Sequence, residues 1–345
     1  MKIKSSIHDY SVTFLSELKF DGDFFIIDEK VYNLHIEKFL EIEKSKVILI
    51  EAIEENKSYK KCYHYIEKLI SMGLKRGNKI CAIGGGIIQD ITGFISSIIF
   101  RGVEWVFHPT TLLSQCDSCI GGKTSINLGK FKNLVGNFNP PREILINTDF
   151  LKTLSSSEVQ SGIGEIIKVY FIDSKNRISH NDLKNCISKD QINIEIIKQA
   201  LSIKKDIIEI DEFDKGYRNI MNYGHTFGHA IETLTNFKIP HGIAVGIGID
   251  IANQIAIISG VCDSNVDDYD VIKIFRIKNI NSYKLLGSLY KNKEYVSALK
   301  RDKKNTSSNN INCILAKSKG NLFKKSFSVL ELSNILNKLG IENYD

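Results

Sequence analysis

Lys79-Ile-Cys-Ala-Ile-Gly-Gly-Gly-Ile-Ile-Gln-Asp90 is the stretch that settles how this chain folds. A short apolar run ends in three glycines and gives way at once to helical spacing over Ile91–Phe100. Strand, glycine turn and helix in that order build an α/β unit, and a fully apolar strand suits a parallel sheet. Glycines at such a turn let a backbone approach a phosphate, and the helix that follows presents its N-terminus to anions. The spacing is not that of the dinucleotide fingerprint, so a plain tight turn is the competing reading. Asp90 falls in the first turn of the helix, where an acid is also a good structural residue.

The pattern extends in both directions from this unit. Phe24–Ile27 and Lys46–Ile50 read as short buried strands, and Tyr59–Leu74 has helical periodicity. Trp105–Phe107 and Ile144–Ile146 add strands. Beyond about Leu154 the strand signals thin out, and Ser157–Tyr170, Ile192–Ile210, Gly216–Thr235 and Ile243–Ser259 read as helices. The expected architecture is an α/β domain with a parallel sheet over residues 1–154, followed by a mostly α-helical domain over 155–345. Asn305–Asn310 reads as a loop.

Bulk properties exclude several classes. The chain has 345 residues and a formal charge of +6. No apolar run looks long enough to span a membrane, and the N-terminus does not resemble a secretion signal. Lysine-rich segments at 57–61 and 300–304 hold a single aromatic, Tyr59, and no nucleic-acid-binding motif, so nucleic acid is not an expected partner. Net positive charge suits an anionic small substrate. Seven cysteines without framework spacing fit a reducing cytoplasm. Cys116 and Cys119 have CxxC spacing, but no second pair completes a zinc site.

A polar stripe marks the helical half. On one helix at 100° per residue, Asp214, Arg218, Asn222, His225 and His229 fall within roughly 80° of arc. The residues between are largely apolar or small, so the stripe faces inward. Single buried histidines are ordinarily satisfied core residues, but this many converging polar groups need a partner or a ligand. His241 follows in Pro240-His-Gly. Glu165 and Lys168 share one helix face in a stretch that is otherwise apolar or small. Glu165 with two of the three histidines makes a three-ligand N/O set, leaving a position open as in catalytic zinc sites. His225 and His229 are not an HExxH pair, since Thr226 stands where the glutamate would be. Asp117-Ser-Cys-Ile-Gly-Gly-Lys123 is a second glycine-rich turn, with Lys132-Asn133 beyond it. It reads equally as a phosphate site or a solvated loop.

Taken together and in order, these motifs resemble the 3-dehydroquinate synthases of the sugar-phosphate cyclase superfamily, over roughly residues 50–305. The resemblance rests on Gly84–Asp90, Arg101-Gly, Pro109-Thr-Thr-Leu-Leu, Asp117–Lys123, Lys132-Asn133, Asp149-Phe-Leu-Lys-Thr-Leu, Gly164-Glu-Ile-Ile-Lys, Asp211-Glu, and Arg218 through His229 with His241. It implies an α/β Rossmann-like nucleotide-binding domain over 1–154 and a mostly α-helical metal-binding domain over 155–345, in a homodimeric lyase of the shikimate pathway of aromatic amino acid biosynthesis. Such an enzyme converts 3-deoxy-D-arabino-heptulosonate 7-phosphate to 3-dehydroquinate and phosphate, using NAD catalytically and Zn2+ or Co2+.

By the same resemblance, Glu165, His225 and His241 are the metal ligands, and His229 is a non-ligand near the phosphate. Lys123, Lys132, Asn133, Asn222 and His229 surround the substrate phosphate or ring. Arg101 reaches a neighbouring subunit's phosphate site. Lys204 and Arg218 hold the substrate carboxylate, Asp117, Lys168 and Asp214 lie around the ring hydroxyls, and a lysine of Asp302-Lys-Lys304 closes the phosphate pocket. NAD is met by Glu54 and Lys57 at the ribose, with Asp28 a further candidate. Gly86, Ile87, Ile88, Gln89 and Asp90 meet the pyrophosphate, and Thr110, Thr111, Phe150, Leu151, Lys152 and Thr153 complete the contacts, with Lys123 and Lys132 at their border.

This chain departs from the family pattern at Gln89, where glycine is usual, at Cys116 and Cys119, and at Asp214, where glutamate is usual. Gln89 would either crowd the pyrophosphate turn or hydrogen-bond to it. Two alternatives remain at this point: a cyclase for another sugar phosphate, such as sedoheptulose 7-phosphate, and a metal-dependent polyol dehydrogenase. Keeping both Lys204 and Arg218 favours the carboxylate-bearing substrate.

Overall fold

The computed structural model describes residues 1–129, 131–262, 269–300 and 310–340. The chain forms two compact units, one of Met1–Leu154 with Lys205–Phe213, the other of Ser155–Lys204 with Asp214–Asp345.

The first unit is built on a seven-stranded sheet. Its strands are β1 (Lys2–Ile3), β2 (Tyr10–Phe14), β3 (Phe24–Asp28), β4 (Val47–Ile50), β5 (Lys79–Gly84), β6 (Glu104–Pro109) and, after the hairpin β7 (Lys123–Leu128) and β8 (Phe131–Phe138), β9 (Glu143–Ile146). The order is β1-β2-β9-β6-β5-β3-β4. Only the β1–β2 pair is antiparallel. Helices α1 (Glu29–Leu34), α2 (Tyr59–Ser71) and α3 (Gly86–Ile98) connect them. Branched and aromatic side chains fill β3 and β5, and Phe25, Ile27, Cys81, Ile83, Val106 and Phe150 pack into one core cluster. The winding reverses between β3 and β5. Their carboxyl ends, at Asp28 and Gly84, therefore flank the crevice where open α/β sheets take ligands.

The segment that follows the glycine-rich turn at Asp117–Lys123 folds as a hairpin. β7 and β8 pair antiparallel, Lys123 opposite Phe138 and Leu128 opposite Phe131. Lys205–Phe213 joins this unit through Lys4 N–H donating to Glu209 (2.8 Å), Ser6 N–H donating to Glu212 (2.8 Å), and Phe213 edge-on to Phe138.

His108, in the middle of this sheet, is fully buried, and neither ring nitrogen has a hydrogen-bond partner among the described residues. Burial pushes its pKa down to about 4, so it folds as a neutral ring beside Phe20. The unfolded chain takes up this proton near pH 6.5, and the native state does so only near 4. Stability is therefore lost as pH falls through that window, by about 2 kcal/mol between pH 7 and pH 5. His108→Leu should remove that loss: urea unfolding at the two pH values should show a difference smaller by this amount than in the parent.

The second unit contains α4 (Ser156–Ile172), α5 (His180–Lys189), α6 (Ile194–Ile210, whose last residues from Lys205 belong to the first unit), α7 (His225–Leu234), α8 (His241–Ile258), α9 (Tyr269–Lys278), α10 (Ile280–Leu286), α11 (Lys293–Lys300) and α12 (Val329–Leu336). A capping box starts α4: Glu158 N–H donates to Ser155 Oγ, and Ser155 N–H donates to Glu158 Oε2. The half is mostly helical, as expected, and it also holds an antiparallel hairpin of β10 (Asn310–Ser318) and β11 (Asn321–Ser328). One sequence expectation changes here: 216–235 is not one helix. A short helical turn, Tyr217–Asn222, ends before Gly224, whose φ of 78° breaks the helix ahead of α7. The five residues of the polar stripe thus lie on separate pieces of backbone, and the single-helix angles do not describe how they meet.

Helix α8 is, by length and composition alone, apolar enough to cross a membrane. It is the core helix of this unit, packed by α4, α7 and β10. That burial accounts for its apolarity. Its one buried acid, Asp250, receives Arg276 Nη2 at 2.7 Å and the hydroxyls of Tyr269 and Tyr283, which satisfies the charge inside the unit.

Candidate functional site

Three glycine contacts bring the polar groups of the second unit together. A Cβ on Gly164 of α4 would lie 1.9 Å from the Gly242 carbonyl oxygen of α8. A Cβ on Gly242 would lie 1.7 Å from the Ser161 oxygen, and one on Gly248 would lie 2.1 Å from that of Gly224. Only glycine allows backbones so close. Glu165, His225 and His241 are the chain neighbours of Gly164, Gly224 and Gly242. Each is therefore carried inward at a crossing.

Glu165 Oε1 lies 3.2 Å from His241 Nε2 and 3.6 Å from His225 Nε2. One donor atom from each of the three falls within 4.8 Å of the others. Glu165 Oε2 meets Lys168 Nζ at 2.5 Å, one turn along α4, with both groups buried. Burial alone would raise the Glu165 carboxyl. The Lys168 ammonium, with His225 and His241, overrides it and holds the group well below the usual carboxylate range. His225 is pushed well below its ordinary value by burial, against the pull of Glu165, and is a neutral imidazole. At His241 burial opposes the charged form, but Glu232 and Glu165 outweigh it and raise the group to about 10. A carboxylate and two imidazoles facing one point are a donor set for a borderline divalent ion such as Zn2+ or Co2+.

The other ring nitrogens are spoken for. His241 Nδ1–H donates to Glu232 Oε2 at 3.1 Å, and His225 Nδ1–H donates to the Tyr223 carbonyl at 3.3 Å. Both contacts leave Nε2 turned toward Glu165, as outer partners of metal-bound histidines do. Glu232 is a residue that the sequence reading passed over. The signal was present: it stands seven positions after His225 and three after His229, on one face of α7. His229 stacks on His241 with ring centroids 5.9 Å apart, and the two join Glu232 in a second donor group that shares His241.

Of the remaining expected residues of this unit, Lys204 and Arg218 are buried cations. Lys204 is on α6, and Arg218 and Asn222 belong to the turn before α7, with Asp214 (φ 56°) just ahead of it. Lys303 and Lys304 lie outside the described residues.

In the first unit, the first bond of α3 runs from Gln89 N–H to Gly85 oxygen (3.0 Å), so the N–H groups of Gly86, Ile87 and Ile88 precede the helical ladder and face the turn. Thr110 Oγ1 is buried with no hydrogen-bond partner among the described residues. Its backbone N–H donates to the Gly84 oxygen, so it sits beside the same turn. An orphaned hydroxyl beside free helix N–H groups fits a bound pyrophosphate.

Around the turn, Lys57 Nζ pairs with Asp90 Oδ2 at 2.8 Å, and Ser125 N–H donates to Asp90 Oδ1 at 3.0 Å. Asn127 Nδ2 donates to Glu54 Oε2 (2.8 Å), and Asn133 N–H donates to Asn127 Oδ1 (2.9 Å). Glu54, Lys57, Asp90 and Asn133 thus form one network, with Lys123 and Lys132 exposed or half-buried on the same hairpin. Asp28 caps α1, accepting from Lys30 N–H. Thr111 pairs with Ser114. Phe150 is a core residue, Leu151 is half-buried, Lys152 pairs with Asp149, and Thr153 with His35. Phe150 therefore has only backbone to offer a ligand. Arg101 sits between Phe100 and Gly102 in a run of positive φ, exposed. Cys116 and Cys119 are buried thiols, each donating to a backbone oxygen of the turn before it. Gln89 neither crowds nor caps the glycine turn: its amide is turned to Ser118.

Two family models match this chain in succession. Residues 47–161 match the N-terminal model of 3-dehydroquinate synthase, and residues 162–305 match its C-terminal model. The chain belongs to the 3-dehydroquinate synthase family. The 3-dehydroquinate synthase of Helicobacter pylori (strain G27) is 37% identical over 297 residues, covering 81% of this chain and 84% of that protein. That of Clostridium tetani is 36% identical over 327 residues, covering 92% and 83%. The 3-dehydroquinate synthase fold extends to a solved 2-deoxy-scyllo-inosose synthase, complexed with carbaglucose-6-phosphate, NAD+ and Co2+. It superposes with a TM-score of 0.82 at 23% identity, over 98% of this chain and 99% of that one.

Proposed function

We propose that this chain catalyses the 3-dehydroquinate synthase reaction, eliminating phosphate from 3-deoxy-D-arabino-heptulosonate 7-phosphate and closing the carbocycle of 3-dehydroquinate. The carrying observation is the Glu165, His225 and His241 donor set, found in a chain that matches both halves of the family. In this reading the enzyme is a carbon–oxygen lyase, a homodimer in which Arg101 serves the neighbouring subunit's phosphate. Its seven free thiols fit the cytoplasm.

Glu165, His225 and His241 would hold Zn2+ or Co2+. Glu54, Lys57, the turn at Gly86–Asp90, Thr110, Thr111 and the backbone of Phe150–Thr153 would hold NAD. When bound, the metal supplies a Lewis acid for neighbouring hydroxyls and NAD a reversible hydride acceptor, with no net redox change. The chain's own groups bind and orient. Lys204 and Arg218 pair with the substrate carboxylate. Lys123, Lys132, Asn133, Asn222 and His229 fix the phosphate in the conformer whose oxygen reaches the proton removed during elimination. Asp117, Lys168 and Asp214 orient the ring hydroxyls, and the cations stabilise developing enolate charge.

The test mixes purified protein, NAD and Zn2+ or Co2+ with the heptulosonate phosphate. Phosphate release, with dehydroshikimate absorbance once dehydratase is added and no net NADH, is the expected result. Stoichiometric NADH would select a polyol dehydrogenase instead. Turnover of sedoheptulose 7-phosphate alone would select a related cyclase.

A further inference from the structure

The unusual Gln89 is buried, and both ends of its amide are used on one residue. Nε2 donates to the Ser118 carbonyl at 2.7 Å, and Ser118 Oγ donates to Oε1 at 2.7 Å. The next residue, Asp90, accepts from Ser125 N–H at 3.0 Å. Two consecutive side chains at the start of α3 therefore grip the two ends of one loop. That loop carries Gly121, Gly122 and Lys123, and Asp117 stands at its entrance. The glycine turn leans on the same segment: a Cβ on Gly85 would meet Thr111 at 3.0 Å, and Thr110 N–H donates to Gly84. At its other side the segment is fixed by Gln115, which donates to the carbonyls of Pro109 and Asn147. Ser118 is the point at which Asp117 is tied to the helix, and Gln89 makes the tie.

We propose that the side chain of Gln89 positions substrate, while the turn at Gly86–Asp90 meets the dinucleotide through backbone and without that amide. Through Ser118 it sets the Asp117 end of the loop that leads to Lys123, so the helix receiving the cofactor also holds the substrate loop in shape. This rests on the reading of the site given above. A glycine at this position offers neither hydrogen bond.

The experiment compares Gln89→Leu, Gln89→Gly, Ser118→Ala and the double variant Gln89→Leu/Ser118→Ala. Amide hydrogen exchange over residues 114–123 is read on the protein alone, without substrate. NAD affinity is read by calorimetry, and KM and kcat with the heptulosonate phosphate. Loss of two buried hydrogen bonds should speed exchange in 114–123 and raise KM about tenfold, while NAD affinity stays within about twofold. The double variant should be no worse than Gln89→Leu, since Ser118→Ala removes only the Oγ bond to Oε1, which Gln89→Leu has already broken. Unchanged exchange in every variant would overturn the proposal, as would weakened NAD binding with KM intact. If the parent itself does not turn over the heptulosonate phosphate, the functional reading fails, and the exchange data still decide whether the clamp exists.

Discussion

Purified His241→Ala protein is expected to bind Zn2+ or Co2+ roughly 10²–10³-fold more weakly than the parent, taking one ligand's share of the roughly 10–16 kcal/mol held by a four-ligand structural zinc site. The reason is geometric. His241 Nε2 and Glu165 Oε1 are 3.2 Å apart with His225 Nε2 beside them, so removing His241 leaves two donors. His229→Ala should retain the metal and lose activity, because His229 enters only the second donor group, with Glu232 and His241. Glu232→Gln should fall between the two. It keeps the shape of the side chain but weakens the acceptor that orients His241 Nδ1–H, and loss of such an outer partner typically weakens binding about 10–100-fold. Metal content after dialysis and competition with a chelator read all three without any assay of turnover. If His229→Ala loses metal as severely as His241→Ala while His225→Ala keeps it, the ion belongs to the second group and the assignment of Glu165 and His225 is wrong.

The second large effect is expected from a single methyl group. In Gly164→Ala the new Cβ would sit 1.9 Å from the Gly242 carbonyl oxygen, backbone against backbone, where no side chain can move aside. Helices α4 and α8 must part, and Glu165 moves away from His241. Overpacking costs typically about 1–3 kcal/mol, and a backbone clash belongs at or beyond the top of that range. Thermal unfolding of the second unit should drop by roughly 5–10 °C, and metal binding should weaken with it. Gly77→Ala is the control, since a Cβ there meets nothing within 4 Å. Equal melting and metal content in Gly164→Ala and the parent would show that the crossing does not hold the ligands in place.

Much of this was legible in the chain itself. The apolar run at Lys79–Ile83, the glycines after it and the helical spacing beyond determine a strand, a turn and a helix, because each depends on residues a few positions apart. The donor types are equally local: Glu165, His225, His229 and His241 stand out among apolar and small neighbours. The family motifs added which of them to expect as ligands.

Other features depended on contacts between distant segments. The supposed single helix over 216–235 breaks at Gly224, where a Cβ would lie 2.6 Å from Val245 oxygen on α8; the need for that close approach is not visible in helical periodicity. The β10–β11 hairpin forms from segments whose polar, lysine-rich faces hide the strand pattern, and its inward residues Ile311, Cys313, Leu315 and Phe327 become recognisable only once paired. Which nitrogen of His241 faces Glu165 is set by Glu232 on another helix, and which way Gln89 points is set by Ser118 beyond the next strand. Sequence determined the kinds of group this protein would use. Tertiary structure decided their directions, because a side chain's direction follows from what packs against it, and those neighbours come from elsewhere in the chain.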